Sequence, residues 1–165
     1  MFVALLTMWA GAAHAENGCQ QPDPDQALRS IQVNDIPTLV SAHKGCVVLL
    51  ELYASWCGTC TQIAPEVSAM VSRLQPKGLV PVGASVDSSK GALLAWRQTY
   101  AREYAPVIVE DWTLQHLREA FTAMDVSFQD ALPLFVLFDK EGNAVMHLSE
   151  PSDLSTMEAR ARALL

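Results

Sequence analysis

The sequence predicts an α/β domain with a mixed central sheet flanked by helices. Two observations carry this. Along residues 35–165, short continuous apolar runs alternate with segments of helical periodicity, the pattern of strands covered on both faces by helices. The last two runs, 134–138 and 144–148, are joined by a short turn around Glu141-Gly142-Asn143. They form a hairpin, which brings an antiparallel pair into the sheet. No repeat, low-complexity tract or internal linker divides the chain, and 165 residues suit one domain with its own core.

The elements follow in order. Residues 1–15, MFVALLTMWAGAAHA, are an apolar run ending in the small-x-small pattern Ala13-His14-Ala15. The run is too short to span a bilayer, and a signal peptide is expected; the competing reading is a buried N-terminal element. Residues 16–34, polar at first and carrying Pro22 and Pro24, read as an extended leader. The domain proper is expected over 35–165. It opens with Asp35 as a helix N-cap, Pro37 in the first turn and Gly45 closing the helix after Lys44. Residues 46–53, CVVLLELY, read as a strand buried on both faces and interrupted by one acid, Glu51. A helix from Cys57 to about Leu74 shows the stripe Ile63, Val67, Met70, Val71 and Leu74, with Pro65 predicted to kink it. Further strands are expected at 79–86 and 107–109, and helices at 90–104, 114–124 and 153–165.

Composition narrows function. Half the residues are hydrophobic, and the formal charge is −7 without a Lys/Arg cluster. Nucleic-acid binding is discarded on that ground. No glycine-rich phosphate loop is present, so no organic cofactor is implied. A structural zinc site needs four ligands in paired sets. Cys19 and Cys46 stand alone, and His14, His43, His116 and His147 are scattered, so no metal is expected.

The chemistry concentrates in ELYASWCGTC, residues 51–60. Disulfide exchange requires a thiolate at neutral pH and a second thiol close enough to resolve the mixed disulfide. A strand leading into a helix supplies both. Cys57 falls at the helix N-terminus, where unpaired N–H groups and the macrodipole favour negative charge. Cys60 lies less than a turn further on, and Gly58 lets a partner chain approach closely.

This stretch resembles the active-site strand and helix start of the thioredoxin superfamily. Glu51 stands at the family's buried acid, Pro65 at its helix-kinking proline, and Leu132-Pro133 at the cis-proline facing the active-site cysteines. The extra helix–strand–helix stretch before Pro133 is similar to the exported TlpA-like branch. The resemblance implies a thioredoxin-like fold with an inserted segment before the cis-proline. It covers roughly 35–165. Thr59 departs from thioredoxin, which has proline between its cysteines.

Roles follow from the resemblance and the chemistry together. Cys57 attacks a substrate disulfide, and Cys60 resolves the mixed disulfide, so the redox-active Cys57–Cys60 pair is the only electron carrier needed. Glu51, a lone acid in an apolar strand, would take the Cys60 proton; the alternative is an edge-exposed or salt-bridged acid. Trp56 is read as a rim for substrate or as core packing. Leu132 and Pro133 would present backbone to an extended substrate segment. Cys19 and Cys46 are read as a stapling disulfide in an oxidising compartment, with a buried free Cys46 or a second exchange-active pair as alternatives.

The function expected is a thiol–disulfide oxidoreductase, periplasmic or otherwise exported, with apocytochrome c maturation or disulfide repair as settings. It would be a soluble monomer acting on cysteine-containing proteins and served by a membrane or soluble thiol redox partner. The rival class is a non-catalytic chaperone or assembly subunit on the same fold. A peroxidase is disfavoured, because Tyr53-Ala54-Ser55-Trp56 offers few polar activating groups.

Overall fold

The computed structural model describes residues 18–23, 25–100, 104, 107–149 and 153–165. The expected signal peptide lies outside them. The apolar runs become strands, and the periodic segments become helices. In chain order these are β1 (Arg29–Gln32), α1 (Ile36–Ser41), β2 (Val47–Tyr53), α2 (Gly58–Leu74), β3 (Leu79–Ser85), α3 (Lys90–Tyr100), β4 (Val107–Glu110), α4 (Leu114–Thr122), β5 (Leu134–Phe138), β6 (Ala144–Leu148) and α5 (Leu154–Leu164).

The strands form one sheet in the order β1-β4-β3-β2-β5-β6. The pairs β1/β4, β4/β3 and β3/β2 are parallel, while β2/β5 and β5/β6 are antiparallel. The sheet is mixed, as the hairpin required. β2, β3 and β5 are buried over their full lengths, so both of their faces are covered. The helices pack in two groups: α2 with α3 and α5, and α1 with α4. Every residue of the expected α2 stripe is buried. Leu49, Leu50 and Leu52 are at most 1% exposed; burying each such side chain stabilises the fold by roughly 2 kcal/mol.

Two local expectations are corrected. The sheet begins at Arg29, ahead of the domain start expected at 35. The segment RSIQ holds one apolar residue and stays largely exposed; its pairing with β4 is made by backbone, which leaves no hydrophobic pattern to read. Asp35 is the N-cap residue of α1, as expected, though its carboxylate turns back to accept the Gln32 N–H at 3.2 Å and closes the preceding 3₁₀ turn. Finally, α1 ends at Ser41, and the chain turns through to Gly45, whose φ of +99° suits glycine. Pro65 is accommodated inside α2, which continues through it to Leu74.

Candidate active site

The central strand delivers the site. After Tyr53 the chain leaves β2 in a tight turn, the Cys57 N–H donating to the Ala54 carbonyl at 3.1 Å. Cys57 is then the N-cap of α2, and its Sγ accepts the Cys60 N–H at 3.1 Å. A disulfide joins Cys57 and Cys60, with their Cα atoms 5.2 Å apart. Cys57 keeps 8% of its surface exposed and Cys60 none. On reduction, a thiolate at Cys57 inherits the N–H groups and the positive end of the helix. The Cys60 sulfur has no such contact with solvent.

The turn is held from β3. The Asp87 carboxylate, 4% exposed, accepts from the Ser55 N–H at 2.8 Å, the Ser55 hydroxyl at 2.5 Å and the Ser85 hydroxyl at 2.6 Å. The Val86 N–H donates to the Tyr53 carbonyl at 2.9 Å, extending the tie beyond the ladder. A second tie runs to α3. The Trp96 indole N–H donates to the Thr61 hydroxyl at 2.8 Å, and that hydroxyl donates to the Cys57 carbonyl at 3.2 Å. The turn and the first turn of α2 are thereby anchored to two other elements.

Glu51 is 3% exposed on a strand flanked by β3 and β5, which removes the edge-exposed reading. It pairs in register with Gly83, and a Cβ on Gly83 would lie 3.0 Å from the Tyr104 ring and 3.2 Å from the Tyr53 ring. Paired residues of adjacent strands project to the same face, as do Glu51 and Tyr53, two apart. Trp96 of α3 packs on Tyr53 with ring centroids 5.2 Å apart and bonds to Thr61 of α2. Glu51 therefore lies on the sheet face covered by α2 and α3. Burial pushes its carboxyl up to about 7, with the Tyr104 side chain offsetting part of the rise. The same burial, with Glu51 nearby, pushes Tyr53 well above the ordinary tyrosine range and keeps it neutral.

The structure brings further expected residues to this end of the sheet. Leu134 pairs with Leu52 in the antiparallel β2/β5 ladder, so the residues before Leu134 lie at the end where β2 runs out toward Cys57. The Leu132–Pro133 peptide bond there is cis. Pro133 is buried and Leu132 partly buried. Trp56 is 62% exposed, so it is not core packing and stands at the rim beside Cys57. Cys19 and Cys46 are joined by a disulfide, Cα–Cα 5.8 Å, which ties the segment before β1 to the residue preceding β2. That bond is remote from the turn at Cys57, since Cys46 and Cys57 flank opposite ends of β2.

Ser55, Asp87, Thr61, Trp96 and Tyr104 were not singled out in the sequence. Asp87 had one available signal, a single acid directly after the apolar run 79–86. The others carry no local mark, because each matters through a partner distant in the chain. Among the described residues no three His, Cys, Asp or Glu side chains cluster as a metal ligand set, and no helix is long and apolar enough to cross a membrane.

Known proteins share parts of this arrangement. Protein disulfide isomerase-like 1-3 of Oryza sativa subsp. japonica is 37% identical over 90 residues, 52% of this chain and 15% of that protein. Protein disulfide-isomerase of Gallus gallus is 33% identical over 93 residues, 56% of this chain and 17% of that one. The chain thus spans less than a fifth of the length of these relatives. Among solved structures, a secreted Mycobacterium tuberculosis disulfide oxidoreductase homologous to E. coli DsbE superposes with a TM-score of 0.57 at 17% identity, covering 75% of this chain and 86% of that one. A thiol:disulfide interchange protein of the thioredoxin family from Chlorobium tepidum TLS gives 0.57 at 21%, covering 73% and 83%. At these identities the likeness establishes the fold, which is thioredoxin-like. Residues 20–146 match the AhpC/TSA family, a span holding the cysteine pair, the buried acid, the cis-proline and all six strands save the end of the last, and the chain belongs to that family.

Proposed function

We propose that the protein is an exported thiol–disulfide oxidoreductase that exchanges its Cys57–Cys60 pair with cysteines of partner proteins. The observation that carries this reading is the disulfide between the N-cap of α2 and a fully buried Cys60, beside an exposed Trp56. In the reducing direction, the Cys57 thiolate attacks a substrate disulfide and displaces one substrate sulfur as thiolate. The Cys60 proton passes to Glu51, and the Cys60 thiolate attacks the Cys57 sulfur. The Cys57–Cys60 bond forms, the second substrate sulfur leaves with the electron pair, and the substrate is reduced by two electrons. The direction in the cell follows the relative potentials of the pair and its partner. Leu132 and Pro133, at the same end of the sheet, offer backbone to an extended substrate segment. The apolar run ending at Ala15 and the Cys19–Cys46 disulfide support an exported setting.

The test uses the full chain and a disulfide-bonded protein substrate under a thiol reductant. Wild type should catalyse reduction, Cys57→Ser should abolish it, and Cys60→Ser should accumulate mixed disulfides identifiable by mass spectrometry. A Cys57→Ser variant that still assists its client at the wild-type level would point to the chaperone class. Turnover of hydrogen peroxide in preference to protein disulfides would also overturn the proposal.

A further inference from the structure

The carboxylate that clamps the active-site turn carries a charge the clamp does not need. Both oxygens of Asp87 accept: Oδ2 from the Ser55 N–H and the Ser85 hydroxyl, Oδ1 from the Ser55 hydroxyl. The Ser85 hydroxyl itself accepts the Asp87 N–H at 3.1 Å, so its proton is free to point at the carboxylate. This is the pattern of an ionised acid, which only accepts. Every donor is neutral, and among the described residues no cation forms an ion pair with Asp87. An asparagine could make the same three hydrogen bonds, its oxygen taking two donors and its amide donating to the Ser55 hydroxyl. It would do so without the cost of burying a charge. That charge is also close to the chemistry. Ser55 stands two residues before Cys57, and the turn closes between Ala54 and Cys57, so the carboxylate lies on the order of 10 Å from Cys57. Asp87 is 4% and Cys57 8% exposed, so little water screens one from the other.

We propose that Asp87 is a positioning residue that also sets the reducing strength of the Cys57–Cys60 pair: its buried charge, fixed at the turn by Ser55 and Ser85, opposes the Cys57 thiolate and disfavours the dithiol relative to the disulfide. The inference rests on the reading of Cys57 as the exchanging thiolate. The charge acts on one redox state only. In the disulfide Cys57 is neutral, whereas on reduction it gains a negative charge facing another. The helix N-terminus favours that thiolate, and Asp87 opposes it. A pair whose dithiol is disfavoured gives up its two electrons more readily, and a more basic thiolate is the stronger nucleophile. Both consequences favour reduction of substrate disulfides. Glu51, Tyr53, Tyr104 and Arg97 are the other ionisable groups in this region, and a substitution at position 87 retains them all.

Equilibration of the full chain with glutathione buffers at about pH 8, above the usual range for such thiolates, measures the effect. Oxidised protein and two glutathione thiols give the dithiol and glutathione disulfide. Acid quenching, alkylation and mass spectrometry count the two forms, with Cys19–Cys46 scored apart. In Asp87→Asn the equilibrium constant should shift about ten-fold toward the dithiol. The Cys57 thiolate midpoint, followed by ultraviolet absorbance of the reduced protein, should fall by about one pH unit. Above both midpoints, attack on a chromogenic aromatic disulfide should slow about three-fold. Ser55→Ala, which loosens the clamp and keeps the charge, should lower stability and leave the constant within about two-fold of wild type. An unmoved constant in Asp87→Asn overturns the proposal. An equal shift in Ser55→Ala marks a geometric role of the turn and overturns it too. Should Asp87→Asn not fold, Asp87→Ser removes the same charge and should show the same shift; an unmoved constant there overturns it equally. A wild-type pair that does not exchange with glutathione at all would overturn the reading of Cys57 itself, which is a separate failure from that of Asp87.

Discussion

Glu51 couples stability to pH through one proton. Its carboxyl sits near 7 in the folded protein because burial disfavours the charged form, whereas an unfolded chain has it near 4.5. Between those values the folded state binds more protons than the unfolded state, so stability falls as pH rises. The contribution is fully present below about 4.5, is lost progressively up to about 7, and is level above. A shift of this size corresponds to about 3 kcal/mol between the two plateaus. Glu51→Gln stays neutral throughout. Urea denaturation of the oxidised protein at a series of pH values should therefore show this slope in wild type and lack it in the variant. Above pH 7 the variant should be the more stable of the two. A variant with the wild-type slope would show that another group titrates.

At the scale of elements, the turn between β2 and α2 owes its shape to β3. Asp87 accepts three hydrogen bonds from Ser55 and Ser85, and its removal strands donors in a buried place. Asp87→Ala should cost about 2–4 kcal/mol, because orphaned buried polar groups lose their full desolvation penalty. Ser55→Ala should cost less on its own, and the double variant should cost less than the sum, since both act on one network. Additive losses in urea denaturation would mean that the two residues act separately. Trp96 and Thr61 fix the other side of the same turn. Cys57 is thus presented by a turn held at both ends, and Trp56 between them is left exposed.

At the scale of the whole molecule, the Cys19–Cys46 disulfide closes a segment of 27 residues that contains β1 and α1. A loop of that length restricts the unfolded chain by roughly 3–4 kcal/mol in the loop-entropy account. Cys46→Ser should lower thermal stability accordingly, while leaving Cys57–Cys60 exchange at its wild-type rate. An unchanged melting temperature would show that the bond does not staple the fold. The bond also secures an edge, because β1 covers the outer side of β4 and unpaired strand edges invite pairing with other chains.

The central strands, the α2 stripe, the closing hairpin and the cysteine pair were legible in the sequence because each is a local pattern. An apolar run needs no distant partner to be read as a buried strand, and two cysteines at the start of a helix already imply the thiolate chemistry. Glu51 was legible for the same reason: one acid stands out within a run of aliphatic residues. β1 was not, because its place in the sheet depends on backbone pairing with β4 and its side chains are mostly exposed. The Asp87 clamp and the Trp96–Thr61 tie were hidden for a related reason. Polar side chains show their purpose only when folding removes water and brings one specific partner within hydrogen-bonding distance. From the sequence came the class of fold and the cysteine pair that the structure joins as a disulfide. Tertiary structure alone decided what holds those residues in place, since those contacts join positions tens of residues apart.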